Sequence, residues 1–356
     1  MMTKNNPQQA EIETLKKNIY PRSKSGEQPA DFIAPSVRPS QQEPGQDYYL
    51  LAQSHASNQL QKKITMRIAD PAQFDLFGNG TIASSDFRLF IRGYQELING
   101  VNQSAAMLLD SLMITATQDG LQSTLVNLPL KEYMIMRGLK DEKETRTQVK
   151  RDIDALERVS FEYKGTGKQK GSWLKISIAG GTVGQIKNGD IIFRFNQDFF
   201  DSFRWSENAR YSYMYFPREA LQGNIKQHPH KYWLARKISE HKRMNLGKSN
   251  EDIIGVDTLI GACPNMPTYE EIMQGDRAVS RRIIEPFERD MDELNQSLSW
   301  HYTDSDEGPQ DYQSFMAATV TIKWHYYPDT KKLEDGKAKR EKKKKSSKNK
   351  SKETKQ

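Results

Sequence analysis

The hydrophobic and polar positions repeat most regularly between Asp276 and Tyr302, where they predict a helix followed by a strand. Asp276 is a residue type that caps helix N-termini. Apolar residues then recur every three or four positions, which places them on one side of a helix, and beyond Asn295 they recur at every second position, as in a strand. The apolar helix positions are Ile284, Phe287, Met291 and Leu294, and the strand positions are Leu298, Trp300 and Tyr302.

The other side of this predicted helix is charged, and its first turns are basic. Cations at a helix start oppose the helix dipole at a cost of roughly a few tenths of a kcal/mol, so they are better explained if they face an anion. Pro286 removes a backbone donor, at roughly 3 kcal/mol if nothing compensates, and predicts a bend. The first turns carry Arg277, Ser280, Arg281 and Arg282, and the acidic residues Glu288, Asp290, Asp292 and Glu293 follow.

A helix that presents arginines from its first turns, backed by a strand, is how a winged helix offers its recognition helix to the major groove of DNA. The alternative interpretation is an amphipathic surface helix whose arginines are only solvated.

An earlier part of the chain predicts a similar set of elements. Structure is expected to begin with Ile64–Ile68 and a strand within Ile82–Ile91. The next helix is capped by Asn102 and ends at Gly120. A short strand, a helix over Lys131–Arg137, a turn at Gly138 and a longer helix over Asp141–Arg158 then follow. This order predicts a first helix-turn-helix.

The outer side of the longer helix carries polar and basic residues, and a lysine-bearing loop follows it. The loop GTGKQKGS lies between predicted strands that begin at Phe161 and end near Ser177, and such a flexible basic hairpin is suited to phosphate contact as a wing. The alternative is an ordinary solvated hairpin. The candidate DNA-contacting residues are Lys143, Arg146, Thr147 and Lys150 on the helix, and Lys168 and Lys170 in the loop.

Further elements complete two modules. Asn188 and Gly189 favour a type I′ turn, and an aromatic strand ends at Pro217, where we place the linker. The second module then has a helix that starts near Pro229, a second helix over Val256–Cys263, and the helix and strand described first. A loop before the closing strand at 318–324 should repel phosphates, so this second wing is expected to stay off DNA or face a protein; its acidic residues are Asp304, Asp306, Glu307 and Asp311.

These patterns predict an α+β protein with two tandem winged-helix domains. The predicted boundaries are 1–58 for a disordered arm, 59–216 for the first domain, 217–328 for the second, and 329–356 for a disordered lysine-rich tail.

Composition narrows the class of protein. The chain has 356 residues with 28% charged, a mean hydropathy of −0.82, and no apolar run near the roughly 18 residues that span a bilayer. The N-terminus has no charged-then-apolar leader, so we do not expect secretion. Cys263 is the only cysteine, which excludes an internal disulfide and a cysteine-based zinc site and fits the cytoplasm. We expect no metal and no cofactor.

The net charge of +7 is unevenly distributed. Residues 331–356 carry thirteen Lys and Arg against four acidic residues, or +9, so residues 1–330 carry −2. A DNA surface on the body must therefore be a local patch. The tail is expected to add affinity that is independent of base sequence, through counterion release, or else to act only as a solubilising segment.

The order of elements resembles the replication initiators of plasmids and other mobile elements that have two winged helices and bind iterons at an origin. The resemblance covers roughly residues 60–328. It is carried by the strings LPLKEYMIMRGLKDEKETRTQVKRDIDALERVSFEYKG, HPHKYWLARKISEHK and RRIIEPFERDMDELN. It implies that the chain binds origin repeats in double-stranded DNA and recruits host initiator and helicase proteins, with exchange between monomer and homodimer.

The resemblance also implies roles for the candidate residues. Arg277, Ser280, Arg281 and Arg282 stand at positions that read bases, and Lys143, Arg146, Thr147 and Lys150 at positions whose role is partly backbone contact. We do not expect an enzyme.

Two other functions remain open at the level of sequence. The first is a winged-helix transcription regulator. The second is a nicking initiator, in which a tyrosine acts beside two histidines separated by one residue. His228, Pro229 and His230 with Tyr232 match that pattern poorly, because proline between the histidines favours a helix start. A Gly-Lys-Ser at 247–249 lacks the first glycine of a phosphate-binding loop, because position 242 is Lys.

Overall fold

The computed structural model describes residues 48–64, 79–83, 87–94, 101–164, 173–185, 189–204, 213–264, 266–274, 278–303, 308–309, 311–325 and 327. The first elements are β1 (Tyr48–Ala52), α1 (His55–Ile64), β2 (Gly80–Ala83), β3 (Phe87–Ile91), α2 (Gln103–Gln118), β4 (Leu125–Leu128), α3 (Leu130–Arg137) and α4 (Glu142–Glu157). They are followed by β5 (Val159–Lys164), β6 (Trp173–Ser177), β7 (Ala179–Gln185), β8 (Ile191–Phe195), α5 (Gln197–Arg204) and β9 (Tyr213–Pro217).

The later elements begin with a 3-10 turn (Arg218–Leu221). They continue with α6 (Lys231–Asn245), β10 (Ile253–Gly255), α7 (Val256–Ile260) and α8 (Tyr269–Gln274). Helix α9 starts as a π turn (Ser280–Ile284) and continues as α-helix (Glu285–Asp292). The last elements are β11 (Leu298–Tyr302), α10 (Tyr312–Ala317) and β12 (Thr319–Trp324).

The first module is a winged helix made of α2, β4, α3, α4 and the hairpin β7–β8. Its three strands lie in the order β4-β8-β7, so the last strand is central, and Leu128 pairs with Ile191. The predicted cap at Asn102 is confirmed, since Asn102 Oδ1 accepts the Ala105 backbone N–H at 3.0 Å. Gly138 ends α3 with φ of 62°, a left-handed conformation that glycine adopts without strain.

The second module repeats this arrangement with α6, β10, α7, α9 and the pair β11–β12. Its strand order is β10-β12-β11, again with the last strand central, and Ile254 pairs with Val320. The fold is therefore α+β with two winged-helix modules in tandem, as the sequence predicted. Helix α7 is shorter than expected, because it ends at Ile260 and Cys263 lies beyond it in a turn.

The N-terminal boundary differs from the prediction. Residues 48–58 were assigned to a disordered arm, but β1 pairs antiparallel with β9 along its whole length and α1 follows it. Tyr49 and Leu51 are fully buried, which explains why this short alternating segment is ordered. The rest of the arm and the tail lie outside the described residues, as does the segment 65–68 of the predicted first strand; Ile64 itself ends α1.

The predicted linker at Pro217 is a packed segment. Pro217 pairs with Tyr48 at the end of β9, and the 3-10 turn that follows contains buried Ala220 and Leu221. Arg137 of the first module reaches this turn, where its Nε donates to the Leu221 carbonyl at 2.9 Å. The chain therefore passes between modules through the shared core.

Other features were not predicted. The predicted strands β3, β5 and β6 pair with β2 in a separate four-stranded sheet, and β10, α8 and α10 are short elements that the hydrophobic pattern did not indicate. At Pro286 a bend was expected. The helix instead widens into the π turn just ahead of it, where the Glu285 N–H donates five residues back to the Ser280 carbonyl.

A buried polar cluster joins the first helices of the two modules. Asp110 of α2 is fully buried and forms an ion pair with Arg236 of α6. The carboxylate also accepts the Tyr232 hydroxyl at 2.6 Å and the Gln61 amide, from α1, at 2.8 Å. Burial raises the pKa of the Asp110 carboxyl, and the contacts with Arg236, Tyr232 and Gln61 oppose that rise. The cluster sets how the two modules are joined.

We expect Arg236→Met to lower the free energy of unfolding by roughly 3–5 kcal/mol, because it leaves the Asp110 carboxylate buried without its counterion. The measurement is urea denaturation at pH 7. Replacing both partners, with Asp110→Leu added, should recover much of the loss. The matched control is Lys237→Met, since the neighbouring Lys237 pairs with Glu240 nearer the surface and should cost at most about 1 kcal/mol. A single variant as stable as this control contradicts the prediction.

Candidate nucleic-acid interface

Helix α4 presents one polar face away from the first module. Its inner face packs Val149 and Leu156 into the core, both fully buried. Asp141 caps the helix by accepting the Glu144 backbone N–H at 2.8 Å. The predicted residues Lys143, Thr147 and Lys150 are exposed and share the outer face with Arg151. The structure thus brings these candidates together.

Arg146 lies at the edge of this face, against the wing. Its guanidinium is bound by Glu142 one turn earlier, with Nη2 2.5 Å from the carboxylate. The turn between β7 and β8 approaches it closely, because a Cβ on Gly189 would lie 2.7 Å from Arg146 Nη1. Gly189 also has φ of 93°, so glycine is favoured there for both space and backbone conformation. Arg146 therefore packs between the recognition helix and the wing.

The wing of the first module is a different hairpin from the one predicted. Loop GTGKQKGS joins β5 to β6, and these strands belong to the four-stranded sheet, where Phe161 pairs with Leu89 and Ile176. The winged-helix sheet is closed by β7 and β8. Lys168 and Lys170 themselves lie outside the described residues. The error arose because the sheet that contains β5 and β6 is inserted between the recognition helix and its wing, and both hairpins have glycine turns.

Helix α9 presents Ser280, Arg281 and Arg282, all exposed, from its first turns. The Ser280 hydroxyl donates to Glu285 at 3.1 Å. Arg277 and the expected cap Asp276 lie outside the described residues. On the inner face, Ile284, Phe287, Met291 and Leu294 are buried as predicted. The cations of this helix are thus concentrated at the end that enters the groove in helix-turn-helix proteins.

Of the four acidic residues expected on the outer face of α9, Asp292 and Glu293 are exposed, Glu288 is half-buried and Asp290 is buried. The Glu288 carboxylate accepts the Tyr302 hydroxyl at 2.9 Å and Asp292 accepts the Trp300 indole N–H at 2.9 Å, so both fasten the helix to β11. Asp290 is fully buried. The prediction was wrong for Asp290 because its negative charge is matched by internal partners that a helical pattern cannot indicate.

A buried aspartate holds each recognition helix to the first helix of its own module. Asp290 accepts the His230 backbone N–H, at the start of α6, at 2.7 Å. Asp152 of α4 accepts the hydroxyl of Ser104, in the first turn of α2, at 2.5 Å, and the Gln148 amide at 2.8 Å. These two aspartates were not among the predicted functional residues.

A signal for them is present in the sequence as an internal match. The strings RDIDAL at 151–156 and RDMDEL at 289–294 place Asp152 and Asp290 at equivalent positions. The same match places Lys143 opposite Arg281, both exposed. The two recognition helices therefore match closely at their C-terminal ends, whereas their first turns differ, because α9 begins as a π turn.

The second wing contains a helix. Asp311, placed in an acidic loop, caps α10 through a reciprocal capping box with Ser314, in which the Ser314 N–H donates to Asp311 Oδ1 at 2.8 Å. Asp304, Asp306 and Glu307 lie outside the described residues. The expectation that this wing stays off DNA remains a prediction.

The histidine and tyrosine pattern of a nicking initiator is built into the core. Tyr232 is fully buried with its hydroxyl on Asp110, and His228 Nδ1 lies 3.1 Å from Asp290. Burial holds the pKa of Tyr232 well above its usual value, which disfavours the phenolate needed for attack. Within the described ranges, no group of three or more His, Cys, Asp or Glu side chains is placed to hold a metal ion.

The geometry thus defines a tandem winged-helix protein whose two recognition helices begin with exposed cations. No helix in the described part of the chain is long and apolar enough to cross a membrane. No protein-family model matches the chain, and no curated protein matches it.

Several solved structures are similar to this chain at low identity. A selenomethionine derivative of domains 2 and 3 of RctB is 14% identical, with a TM-score of 0.44, and the match covers 75% of this chain and 98% of that one. The Pi initiator protein in complex with iteron DNA is 10% identical, with a TM-score of 0.40, and the match covers 70% of this chain and 100% of that one. A second structure of RctB domains 2–3 is 13% identical, with a TM-score of 0.40, and covers 74% and 96%.

The buried Asp152 gives the first module a pH dependence. Burial raises the pKa of its carboxyl from 3.8 to about 6. Because the folded state binds this proton more tightly than the unfolded chain, the contribution of Asp152 to stability is complete below about pH 4 and is lost as pH rises to about 6. At pH 7 the ionised group therefore costs roughly 3 kcal/mol.

We expect Asp152→Asn to be more stable than the natural chain at pH 7, by up to about 3 kcal/mol, because asparagine can accept the Ser104 hydroxyl without ionising. The advantage should shrink as pH falls from 6 to 4. Urea denaturation at several pH values measures it. Asp154→Asn, at an exposed neighbour that pairs with Arg158, is the control and should change stability by less than about 1 kcal/mol. A pH-independent difference between Asp152→Asn and the natural chain contradicts the assignment.

Proposed function

We propose that this chain is a replication initiator of a plasmid or other mobile element that binds repeats at an origin in double-stranded DNA and nucleates replisome assembly. The observation that carries the proposal is the tandem arrangement: two winged-helix modules of equal strand order share one core, and each begins its recognition helix with exposed cations. The protein acts in the cytoplasm as a DNA-binding protein and not as an enzyme.

The charge distribution of the protein favours recognition of a particular base sequence over binding to DNA of any sequence. Residues 1–330 carry a net charge of −2, so the body has no overall positive field to hold a duplex. Arg281 and Arg282 are exposed together at the start of α9. An arginine there can bind guanine through two hydrogen bonds, worth about 1–3 kcal/mol of discrimination. Ser280 and Arg277 complete the proposed base-reading set.

The first module contacts mainly the sugar-phosphate backbone of the same duplex. Lys143, Arg146, Thr147 and Lys150 supply hydroxyl and cationic donors that suit phosphate oxygens. Glu142 forms an ion pair with the Arg146 guanidinium in the free protein. On binding DNA, Arg146 must either bind Glu142 and a phosphate together or exchange Glu142 for the phosphate. Lys168 and Lys170, in the loop between β5 and β6, are proposed as further phosphate contacts.

The packed junction favours recognition of paired sites. Once one module is bound, binding of the other is intramolecular, and its effective concentration depends on how well the geometry matches the second site. The Asp110 and Arg236 ion pair and the β1–β9 pairing hold that geometry. Two recognition elements at a fixed spacing are what an array of short direct repeats requires. Host initiator and helicase proteins are the expected partners, with monomers on direct repeats and homodimers on inverted ones.

We expect Arg281→Ala and Arg282→Ala each to weaken binding to short direct repeats taken from beside the gene of this chain by about 1–3 kcal/mol, because each removes a base contact. Binding to a scrambled duplex of equal length should change much less. Fluorescence anisotropy at fixed salt measures both. Lys62→Ala, at an exposed position of α1, is the control and should leave binding unchanged.

The outcomes separate the proposal from its rivals. Equal losses on both duplexes contradict base reading, and an intact chain that does not prefer the repeats contradicts the proposed function. A transcription regulator would bind the repeats without supporting replication of a plasmid that carries them, when the chain is supplied in trans. A nicking initiator would form a covalent adduct with single-stranded origin DNA that is lost in Tyr232→Phe.

We expect truncation after Asp329 to flatten the salt dependence of DNA binding while leaving the preference for repeats. The tail from 331 to 356 carries a charge of +9, and each phosphate it neutralises contributes about −0.9 to the slope of log K against log salt. Anisotropy titrations over a series of salt concentrations measure the slope. An unchanged slope removes the tail from the interface.

A further inference from the structure

The internal match between the recognition helices contains one exposed residue type whose terminal nitrogens bind no partner among the described residues. The aspartates Asp152 and Asp290 are buried and hydrogen-bonded. The second aspartates also have partners, since Asp154 pairs with Arg158 at 3.3 Å and Asp292 accepts the Trp300 indole N–H. The apolar members Ile153, Leu156, Met291 and Leu294 are all in the core. The remaining common residue is the arginine that opens each string.

These two arginines point into solvent. Arg151 is exposed, and among the described residues it makes no hydrogen bond or ion pair. The Arg289 side chain is 51% exposed, and its Nε lies 3.3 Å from Asp290 Oδ1. Among the described residues, the contact with Asp290 is the one that fixes Arg289. It leaves the terminal guanidinium nitrogens of Arg289 available to bind an anion. The two modules therefore keep an outward arginine at one equivalent position.

The position of Arg151 on its helix suits contact with the phosphates that line a DNA groove. Arg151 stands eight residues after Lys143 in α4. With 3.6 residues per turn and 1.5 Å per residue, this is about 80° round the helix and about 12 Å along its axis. Arg151 therefore lies beside the helix face that would enter the groove with the first turn. The flanks of a helix in the major groove face the sugar-phosphate strands.

Comparison of the other exposed positions indicates what the arginines bind. Between equivalent positions in the first turns, exposed Glu144 is replaced by exposed Arg282, so the charge pattern differs between the two helices. Residues that contact bases are free to differ when two modules read different base pairs. Phosphate is common to every base pair, and a contact to it can be the same in both modules.

We propose that Arg151 and Arg289 are equivalent phosphate-binding residues, which set each recognition helix against the DNA backbone at the same depth. This inference rests on the proposed function and adds two residues to it. Asp290 orients the Arg289 guanidinium through Nε, while Arg151 reaches the phosphate from the free end of its side chain. The two modules thus share one mode of attachment and differ in what they read.

The test uses the full chain with Arg151→Gln, Arg289→Gln, and the lysine variants at both positions. For each glutamine variant we expect the slope of log K against log salt to become shallower by about 0.9, with equal loss of affinity on the repeats and on a scrambled duplex. Lysine keeps the charge and should restore the slope, whereas it cannot replace an arginine that binds a base through two hydrogen bonds. Lys62→Gln is the matched control and should leave the slope unchanged.

Each other outcome overturns the proposal. An unchanged slope in both glutamine variants makes the arginines solvated surface charges. Loss of preference for the repeats that lysine does not restore makes them base-reading residues. Thermal unfolding of each variant detects a purely structural effect, which would lower the midpoint and leave the slope of the folded protein intact. If the intact chain binds neither duplex, the proposed function itself fails, and this is seen before any variant is compared.

Discussion

The buried ion pair between Asp110 and Arg236 is the interaction on which the arrangement of this protein depends. It joins the first helices of two modules that each have a complete winged-helix topology. Two charges removed from water are stable only when their remaining hydrogen-bonding groups are also satisfied. Tyr232 and Gln61 supply those partners, and they come from α6 and from α1, so three segments distant in sequence must be in place together.

The same principle acts locally in each module. In each module a buried aspartate binds the recognition helix to the start of the first helix. This residue is Asp152 in the first module and Asp290 in the second. These contacts set the rotation of the recognition helix about its own axis, and hence which side chains are presented outward. The outward residues can then change between modules while the helix orientation is preserved. This explains how one architecture carries two different outer faces, one with Lys143 and Lys150 and one with Arg281 and Arg282.

Local chemistry allowed much of the fold to be predicted from the sequence. The cap at Asn102, the turn at Gly138 and the buried stripe of α9 each depend on residues within a few positions of one another. Features set by distant partners could not be predicted in this way. The strand at 48–52 is ordered by pairing with 213–217, and the β5–β6 hairpin was taken for the wing because its sheet partner β3 precedes it by about seventy residues.

In the candidate site, too, some features follow from the local sequence and others depend on distant residues. Exposure of Lys143, Thr147, Lys150, Ser280, Arg281 and Arg282 follows from helical periodicity and agrees with the structure. The burial of Asp290 does not follow from periodicity, because it depends on the backbone of His230. The contact of Arg146 with the wing depends on Gly189, which is distant in sequence and lacks a side chain that could indicate it.

The pairing of β1 with β9 has a consequence for synthesis of the chain. A nascent polypeptide that has reached Arg204 carries β1 without its partner strand, so β1 cannot pair until the segment 213–217 has been synthesised. Contacts between such distant residues slow folding. The N-terminal strand is therefore among the last parts of the first module that can be completed as the chain is made.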